Sequence, residues 1–271
     1  MKMRFLLVLV LSTIHISLLA QYRLQKIWET DTVTLIQPES VLYDGASKSI
    51  YVSCMGAGKI ARIKTTGNIL RTDWITGLDA NKGCALQNGL FYTAEPTAIV
   101  VINAKKVTVT KRIKVPGAVM LNDVAIDAKG TIYSTDTRAG KVYQIENDNA
   151  IVYLENMPGA NGLLTDGSDV YVLTSTTIEK VSKEKKVTQI ASGFESGLDG
   201  IVKIAENEFI VSNYKGLLYY VNSNGTKQLL LDTRDLGLMS NDISYNPATQ
   251  TLYVPSYKTS QVFAYKVIKE K

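Results

Sequence analysis

Histidine is almost missing from this chain of 271 residues; the single one is His15. It lies in an N-terminal segment with the marks of an export signal: Lys2 and Arg4, an apolar run from Phe5 to Ala20, and a small residue before Gln21. Cleavage after Ala20 is expected, which divides the chain into a signal peptide (1–20) and one mature domain (21–271) without an imidazole. That absence excludes Ser-His-Asp and Cys-His catalysis, HExxH zinc sites and histidine proton shuttles. Chemistry is left to carboxylates, amides, lysine, tyrosine or a metal held by oxygen.

Other shortages narrow the class further. The 30 basic and 25 acidic residues become 28 and 25 once Lys2 and Arg4 are removed, a net of +3. That balance excludes a dedicated nucleic-acid binder. After the export segment no apolar run is long enough for a membrane span. The 16 residues of Phe5–Ala20 are interrupted by Ser12, Thr13, His15 and Ser17 and fall short of the ~20 that a helix needs to cross. A secreted or periplasmic protein is therefore expected. Cys54 and Cys84 are the only cysteines. They are read either as a disulfide or as two buried free thiols, and no histidine is available to activate either as a nucleophile. Proline is scarce, low-complexity tracts are absent and 45% of residues are hydrophobic, as in a chain that buries a full core.

Helical periodicity is also nearly absent, and what replaces it is short alternating runs closed by Gly, Asn or Asp turns: SIYVSC, GLFYTAE, TIYSTD, DVYVLT, EFIVSN and TLYVPS. The chain reads as all-β. Each run follows a second strand-like run that begins at a polar residue, and these anchors are Glu39, Lys82, Asn122, Asn161, Asp199 and Asn241, spaced by 43, 40, 39, 38 and 42 residues. Six units of about forty residues predict a six-bladed β-propeller with four-stranded blades around a central channel. The last unit is short of a strand, which the segment Tyr22–Ile36 is expected to supply by pairing the two ends of the chain.

In a propeller the first strand of each blade lines the channel, so anchors in one register form a ring. Glu39, Asn122, Asn161 and Asp199 bring two carboxylates and two amide carbonyls, a hard oxygen set suited to calcium or magnesium. Two ionised carboxylates about 4 Å apart repel by roughly 4 kcal/mol at an effective dielectric near 20, which a bound cation or a proton would relieve. Taken singly, each Asn or Asp is explained as well by an Asx turn. Asn241 belongs to the same ring, with Asp123 and Asp242 beside it as supports or turn caps. Lys82 opposes a cation unless it is turned aside or paired with a carboxylate such as Glu95. GAGK (Gly56–Lys59) lacks the first glycine and the hydroxyl of a phosphate loop and reads as a hairpin turn.

The pieces PES (Pro38–Ser40), LND (Leu121–Asp123) followed by AIDAKGTIYSTD, ANG (Ala160–Gly162) and LDG (Leu198–Gly200) resemble the senescence-marker-protein/gluconolactonase family, with its relatives the paraoxonases and calcium-dependent organophosphate hydrolases. The resemblance runs from Glu39 to Tyr265. It implies a divalent cation in the channel, calcium first and magnesium, manganese or zinc as alternatives, held by Glu39, Asn122, Asn161 and Asp199. It further implies a metal-dependent hydrolase that opens a lactone or related ester; Asp199 is then the expected general base, as the conventional proton acceptor left beside the bound carbonyl. The histidines that the paraoxonase and organophosphate-hydrolase branches use have no counterpart in the mature chain. A substrate-binding rim is expected from Lys82, Glu95, Arg138, Tyr214 and Tyr257, with Met55, Lys215 and Lys258 nearby, a lining suited to an anionic or sugar-like small molecule. A monomer is expected. The alternative function is a non-enzymatic propeller that binds a small ligand or a protein partner.

Overall fold

The turn chemistry of the sequence sets the strand boundaries. In the computed structural model, which describes residues 22–270, Asn88 and Gly89 both have positive φ (51° and 75°) and join two strands as a two-residue hairpin. Asn147 and Asp148 (49° and 66°) do the same one blade later. Between such turns the β-branched and aromatic runs form strands β1 to β24, grouped as six four-stranded antiparallel sheets.

Blade 1 contains β2 (Pro38–Asp44), β3 (Ser49–Cys54), β4 (Lys59–Lys64) and β5 (Ile69–Thr76). Blade 2 is built from β6 (Cys84–Gln87), β7 (Leu90–Glu95), β8 (Ala98–Asn103) and β9 (Thr108–Lys114). In blade 3 the strands are β10 (Leu121–Ile126), β11 (Ile132–Asp136), β12 (Lys141–Glu146) and β13 (Asn149–Leu154). Blade 4 has β14 (Leu163–Asp166), β15 (Asp169–Leu173), β16 (Ile178–Val181) and β17 (Val187–Ala191). Blade 5 follows with β18 (Leu198–Ala205), β19 (Glu208–Asn213), β20 (Leu217–Asn222) and β21 (Lys227–Asp232). Blade 6 joins β22 (Ser244–Asn246), β23 (Thr251–Ser256) and β24 (Gln261–Lys269) to β1 (Tyr22–Glu29).

The strand β1 runs antiparallel to β24, with Tyr22 opposite Lys269 and Glu29 opposite Phe263. Closure by the two chain ends is thus as the sequence predicts, with the strand limited to the first eight residues of the expected segment. Glu208 fastens this seam. It accepts hydrogen bonds from the Tyr22 hydroxyl (2.7 Å), the Tyr220 hydroxyl (2.9 Å) and Lys269 Nζ (3.2 Å), tying blade 5 to both outer strands of blade 6.

Each hydrophobic cluster lies between two neighbouring blades. One combines Ala94, Ile99 and Val101 of blade 2 with Leu121, Ile132 and Tyr143 of blade 3, and another brings Val41, Ile50 and Val52 of blade 1 against Tyr253, Val262 and Ala264 of blade 6. Six such interfaces close the ring, so no blade buries its faces alone. The second strands β3, β11 and β23 are buried at every residue, whereas the fourth strand β9 carries the exposed Lys111, Arg112 and Lys114. Charge on that outer edge discourages pairing with another chain. GAGK sits between β3 and β4 as a short 3-10 turn closed by Gly58 in the left-handed region, as read from the sequence.

Cys54 and Cys84 are both buried and free, packed in different inter-blade clusters, which settles the two readings in favour of thiols. No helix among the described residues is long and apolar enough to cross a membrane. The expected signal peptide at 1–20 lies outside the described residues.

Candidate metal centre in the channel

All six anchors line a single cavity of about 270 Å³ at one end of the channel. Their placement starts with backbone irregularities at the head of the inner strands. In blades 1, 3 and 5 the register shifts between Pro38 and Ser40, between Leu121 and Val124, and between Leu198 and Ile201. Such bulges turn a side chain out of the sheet's alternation, and the residues they contain are Glu39, Asn122 and Asp199. In blades 2, 4 and 6 the anchor stands just ahead of the strand, with its peptide N–H bonded to the second strand: Lys82 to Ala94 O, Asn161 to Leu173 O and Asn241 to Pro255 O, each at 2.9–3.0 Å.

The residue after each anchor is small or an aspartate. Blades crowd here: a Cβ on Gly83 would lie 2.6 Å from the Asp123 Cα, and one on Gly162 would collide with the Asp199 carbonyl oxygen. The two aspartates act as braces between blades. Asp123 accepts from the Leu163 N–H (2.6 Å) and the Val124 N–H (2.7 Å), and Asp242 accepts from the Ser40 hydroxyl (2.6 Å).

Glu39 and Asp199 are buried, and each has one oxygen without a hydrogen-bond partner, Oε2 and Oδ1 respectively. Asp199 Oδ2 accepts from Asn241 Nδ2 at 3.2 Å, while Asn241 Oδ1 accepts from the Tyr257 N–H at 3.1 Å. Both ends of the Asn241 amide are therefore engaged, and it positions Asp199. Asn122 Nδ2 donates to Thr137 Oγ1 at 2.9 Å, and that hydroxyl donates to Ala160 O at 2.7 Å, so the Asn122 carbonyl oxygen is the end available as a ligand.

Charge is concentrated in this small volume. Burial pushes the Asp199 carboxyl well above its ordinary range, and the charges of Glu39 and Asp242 push it further, against the opposing Lys82 ammonium and the Asn241 bond. Burial likewise raises Glu39, with Lys82 opposing. Asp123 is pushed up to about 8 by burial, despite its two peptide donors, and burial together with Asp123 lifts Asp242. Lys82 Nζ stands 3.5 Å from Glu39 Oε1 and 3.3 Å from Met55 Sδ.

Orphaned carboxylate oxygens cost about 1–3 kcal/mol each in a native protein, more when charged, unless something fills them. Two of them beside two amides fit a hard divalent cation held by Glu39, Asn122, Asn161 and Asp199. Among the described residues no group of three or more His, Cys, Asp and Glu side chains is arranged to hold a metal, so a metal here would depend on the amide oxygens as well.

Of the residues expected at the rim, Lys82, Tyr214, Tyr257 and Met55 do line the cavity. Glu95 does not. It is buried and committed to Arg112 Nε (3.0 Å) and the Asp79 N–H (3.0 Å), so it pairs neither with substrate nor with Lys82. Arg138 does not line the cavity; it is exposed in an adjoining crevice with Glu155 and Met157, and Thr137 lines both. Lys215 is paired with Glu195 at 3.3 Å. The mouth is accordingly not a cationic rim but a largely apolar one, in which Met55, Met120, Met239, Tyr214 and Tyr257 surround a single ammonium. Met120 and Met239 each stand two residues before an anchor, but the same position in the other units is Gln37, Ala80, Gly159 and Gly197, so no repeated signal in the sequence marks them.

Fold and cavity together define a six-bladed β-propeller with an oxygen-lined channel. Its fold is shared with a gluconolactonase from Xanthomonas campestris (TM-score 0.70, 14% identity, 88% of this chain and 89% of that one). It is shared as well with a virginiamycin B lyase from Staphylococcus aureus, solved as a catalytically inactive variant with quinupristin (0.69, 12%, 92% and 100%). A luciferin-regenerating enzyme is also similar (0.66, 13%, 91% and 95%). By sequence the chain matches no protein-family model and no curated protein.

Proposed function

We propose that this protein is a secreted, metal-dependent hydrolase of the gluconolactonase type that opens a lactone or related ester at the channel mouth. The observation that carries the reading is the pair of orphaned oxygens, Glu39 Oε2 and Asp199 Oδ1, in the wall of a cavity that also presents Asn122 and Asn161. A divalent cation, calcium first, would supply Lewis-acid stabilisation of the oxyanion that develops on the carbonyl. Asp199 is the general base. Oδ1 is the end that would meet the cation; Oδ2, which accepts from Asn241 at 3.2 Å and keeps a second lone pair, takes a proton from the water that attacks the acyl carbon and returns it to the leaving alkoxide as the C–O bond breaks. The three methionines and two tyrosines of the mouth would hold the apolar part of the substrate and exclude water from it.

The shared fold serves hydrolase and lyase alike, and the missing histidine supports the hydrolase reading for this chain. The inactive lyase replaces a histidine by alanine, and residues 22–270 here contain no histidine at all. A second reading, a binding module without turnover, is favoured by Lys82, whose ammonium already meets one Glu39 oxygen. Calorimetric titration of chelator-stripped protein with calcium, alongside Glu39→Gln and Asp199→Asn, tests the site, and a panel of lactones and esters then tests the reaction. Binding in the native protein that is lost in both variants, with turnover lost in Asp199→Asn, is expected. Retained binding in either variant refutes the ligand set, and metal binding without turnover of any lactone or ester selects the binding module.

A further inference from the structure

We infer that Lys82 is a built-in counter-ion that competes with the divalent cation for Glu39, so that loading the channel requires its ammonium to leave the ring. The inference rests on the metal-site reading above but concerns this chain's own lysine. Four observations carry it. Lys82 supplies the one cationic group in a cavity whose other lining residues, apart from Glu39 and Asp199, are Asn, Thr, Met and Tyr. Its Nζ lies 3.5 Å from Glu39 Oε1. Its backbone is tied to both neighbouring strands, the Lys82 N–H to Ala94 O (2.9 Å) and the Gly83 N–H to Asn122 O (3.0 Å), so the response falls to the side chain. That side chain is 15% exposed and shares the mouth with Met55, Met120 and Tyr214, a path along which a flexible four-carbon stem can swing.

The charge sum follows from these positions. Glu39 and Asp199 together carry two negative charges when ionised, and Lys82 cancels one. A dication held by the same two carboxylates through the free Oε2 and Oδ1 over-compensates if the ammonium stays beside Oε1, and the two cations then share one carboxylate at close range. Displaced toward the mouth, the ammonium comes to rest among the thioethers and phenols, facing whatever enters the channel. Lys82 thus links the state of the floor to the character of the rim: the mouth is apolar when the lysine is down and carries one positive charge when the cation is in place.

The test is calcium titration by calorimetry of the chelator-stripped native protein, Lys82→Met and Lys82→Gln, with thermal unfolding of each in chelator and in saturating calcium. Methionine keeps the length and suits a cavity already lined by thioethers; glutamine keeps a donor and guards against misfolding of the first variant. Calcium is expected to bind both variants about tenfold or more tightly than the native protein, the factor that repulsion between an ammonium and a dication carries even at the dielectric of water. In chelator both variants should melt below the native protein, and calcium should raise their melting temperatures by more. A lysine that merely fills space would lower the melting temperature equally with and without calcium, which overturns the inference. Equal calcium affinity in all three proteins overturns it too, while leaving the metal site intact. No binding by any of the three refutes both. Binding by the variants alone supports the inference and withdraws metal-dependent turnover from the native protein.

Discussion

Replacing Asp199 by asparagine removes a charge from the channel floor while preserving the shape of the side chain. In the metal-free protein this should stabilise the fold. Asp199 is 3% exposed, Oδ1 has no partner, and the charges of Glu39 and Asp242 push its carboxyl above the ordinary range. The native state therefore holds either an uncompensated carboxylate or a proton taken from solvent. Asparagine removes the charge, can still accept the Asn241 bond at 3.2 Å through its carbonyl oxygen, and puts an NH2 in the place of Oδ1, in the field of the Glu39 and Asp242 charges. Relief of one buried charge without a partner is worth about 1–3 kcal/mol, and for a domain of this size each kcal/mol moves the melting temperature by roughly 2–4 °C. A rise of about 2–12 °C is expected for Asp199→Asn in chelator, with no further rise on adding calcium, whereas the native protein should be raised by calcium. Asp136 provides the opposite control. It is fully buried, but its carboxylate accepts three peptide N–H groups, those of Val119 (2.6 Å), Met120 (3.1 Å) and Ala139 (2.9 Å). Asp136→Asn should therefore destabilise by about 1–3 kcal/mol whether or not calcium is present. Differential scanning calorimetry on the three proteins decides the matter. If Asp199→Asn lowers the chelator melting temperature as Asp136→Asn does, Asp199 is a satisfied structural carboxylate and the argument for the site collapses.

Two further outcomes concern the frame that holds the site. Burial by itself would raise the Glu208 carboxyl, but its bonds from Tyr22, Tyr220 and Lys269 outweigh this and hold it below the ordinary value near 4.5. A lowered carboxylate stabilises the fold above that value and loses its contribution as pH falls through the folded pKa, so acid unfolding curves of Glu208→Gln should decline less steeply below about pH 4.5; an unchanged slope would show that the seam does not depend on this charge. Gly162→Ala should cost about 1–3 kcal/mol or more, since its methyl meets the Asp199 backbone and lies 3.1 Å from the Gly200 Cα. Weakened calcium binding should accompany that loss, and an alanine variant as stable as the native protein in chemical denaturation would show that blades 4 and 5 can separate freely.

Much of the architecture is local and so was legible. Period-two alternation and turn pairs such as Asn88-Gly89 act over fewer than ten residues, and their recurrence fixed six units, the strand order within each, and the six anchors that the cavity does gather. The ring's chemistry was legible for the same reason: residues at one register of a repeated unit must face one another around an axis. The tertiary structure alone decided which groups at that axis pair. Lys82 could have met Glu95, but the Arg112 guanidinium and the Asp79 peptide occupy that carboxylate, and Lys82 turns to Glu39 across the blade boundary. Arg138 could have faced the mouth, but it is exposed in the adjoining crevice, and its neighbour Thr137 lines the cavity. The thioether lining of Met55, Met120 and Met239 emerges only once three blades converge on one opening. Backbone pattern is written in neighbouring residues, whereas side-chain partnership across blades is a competition among groups some forty residues apart, and only packing settles it.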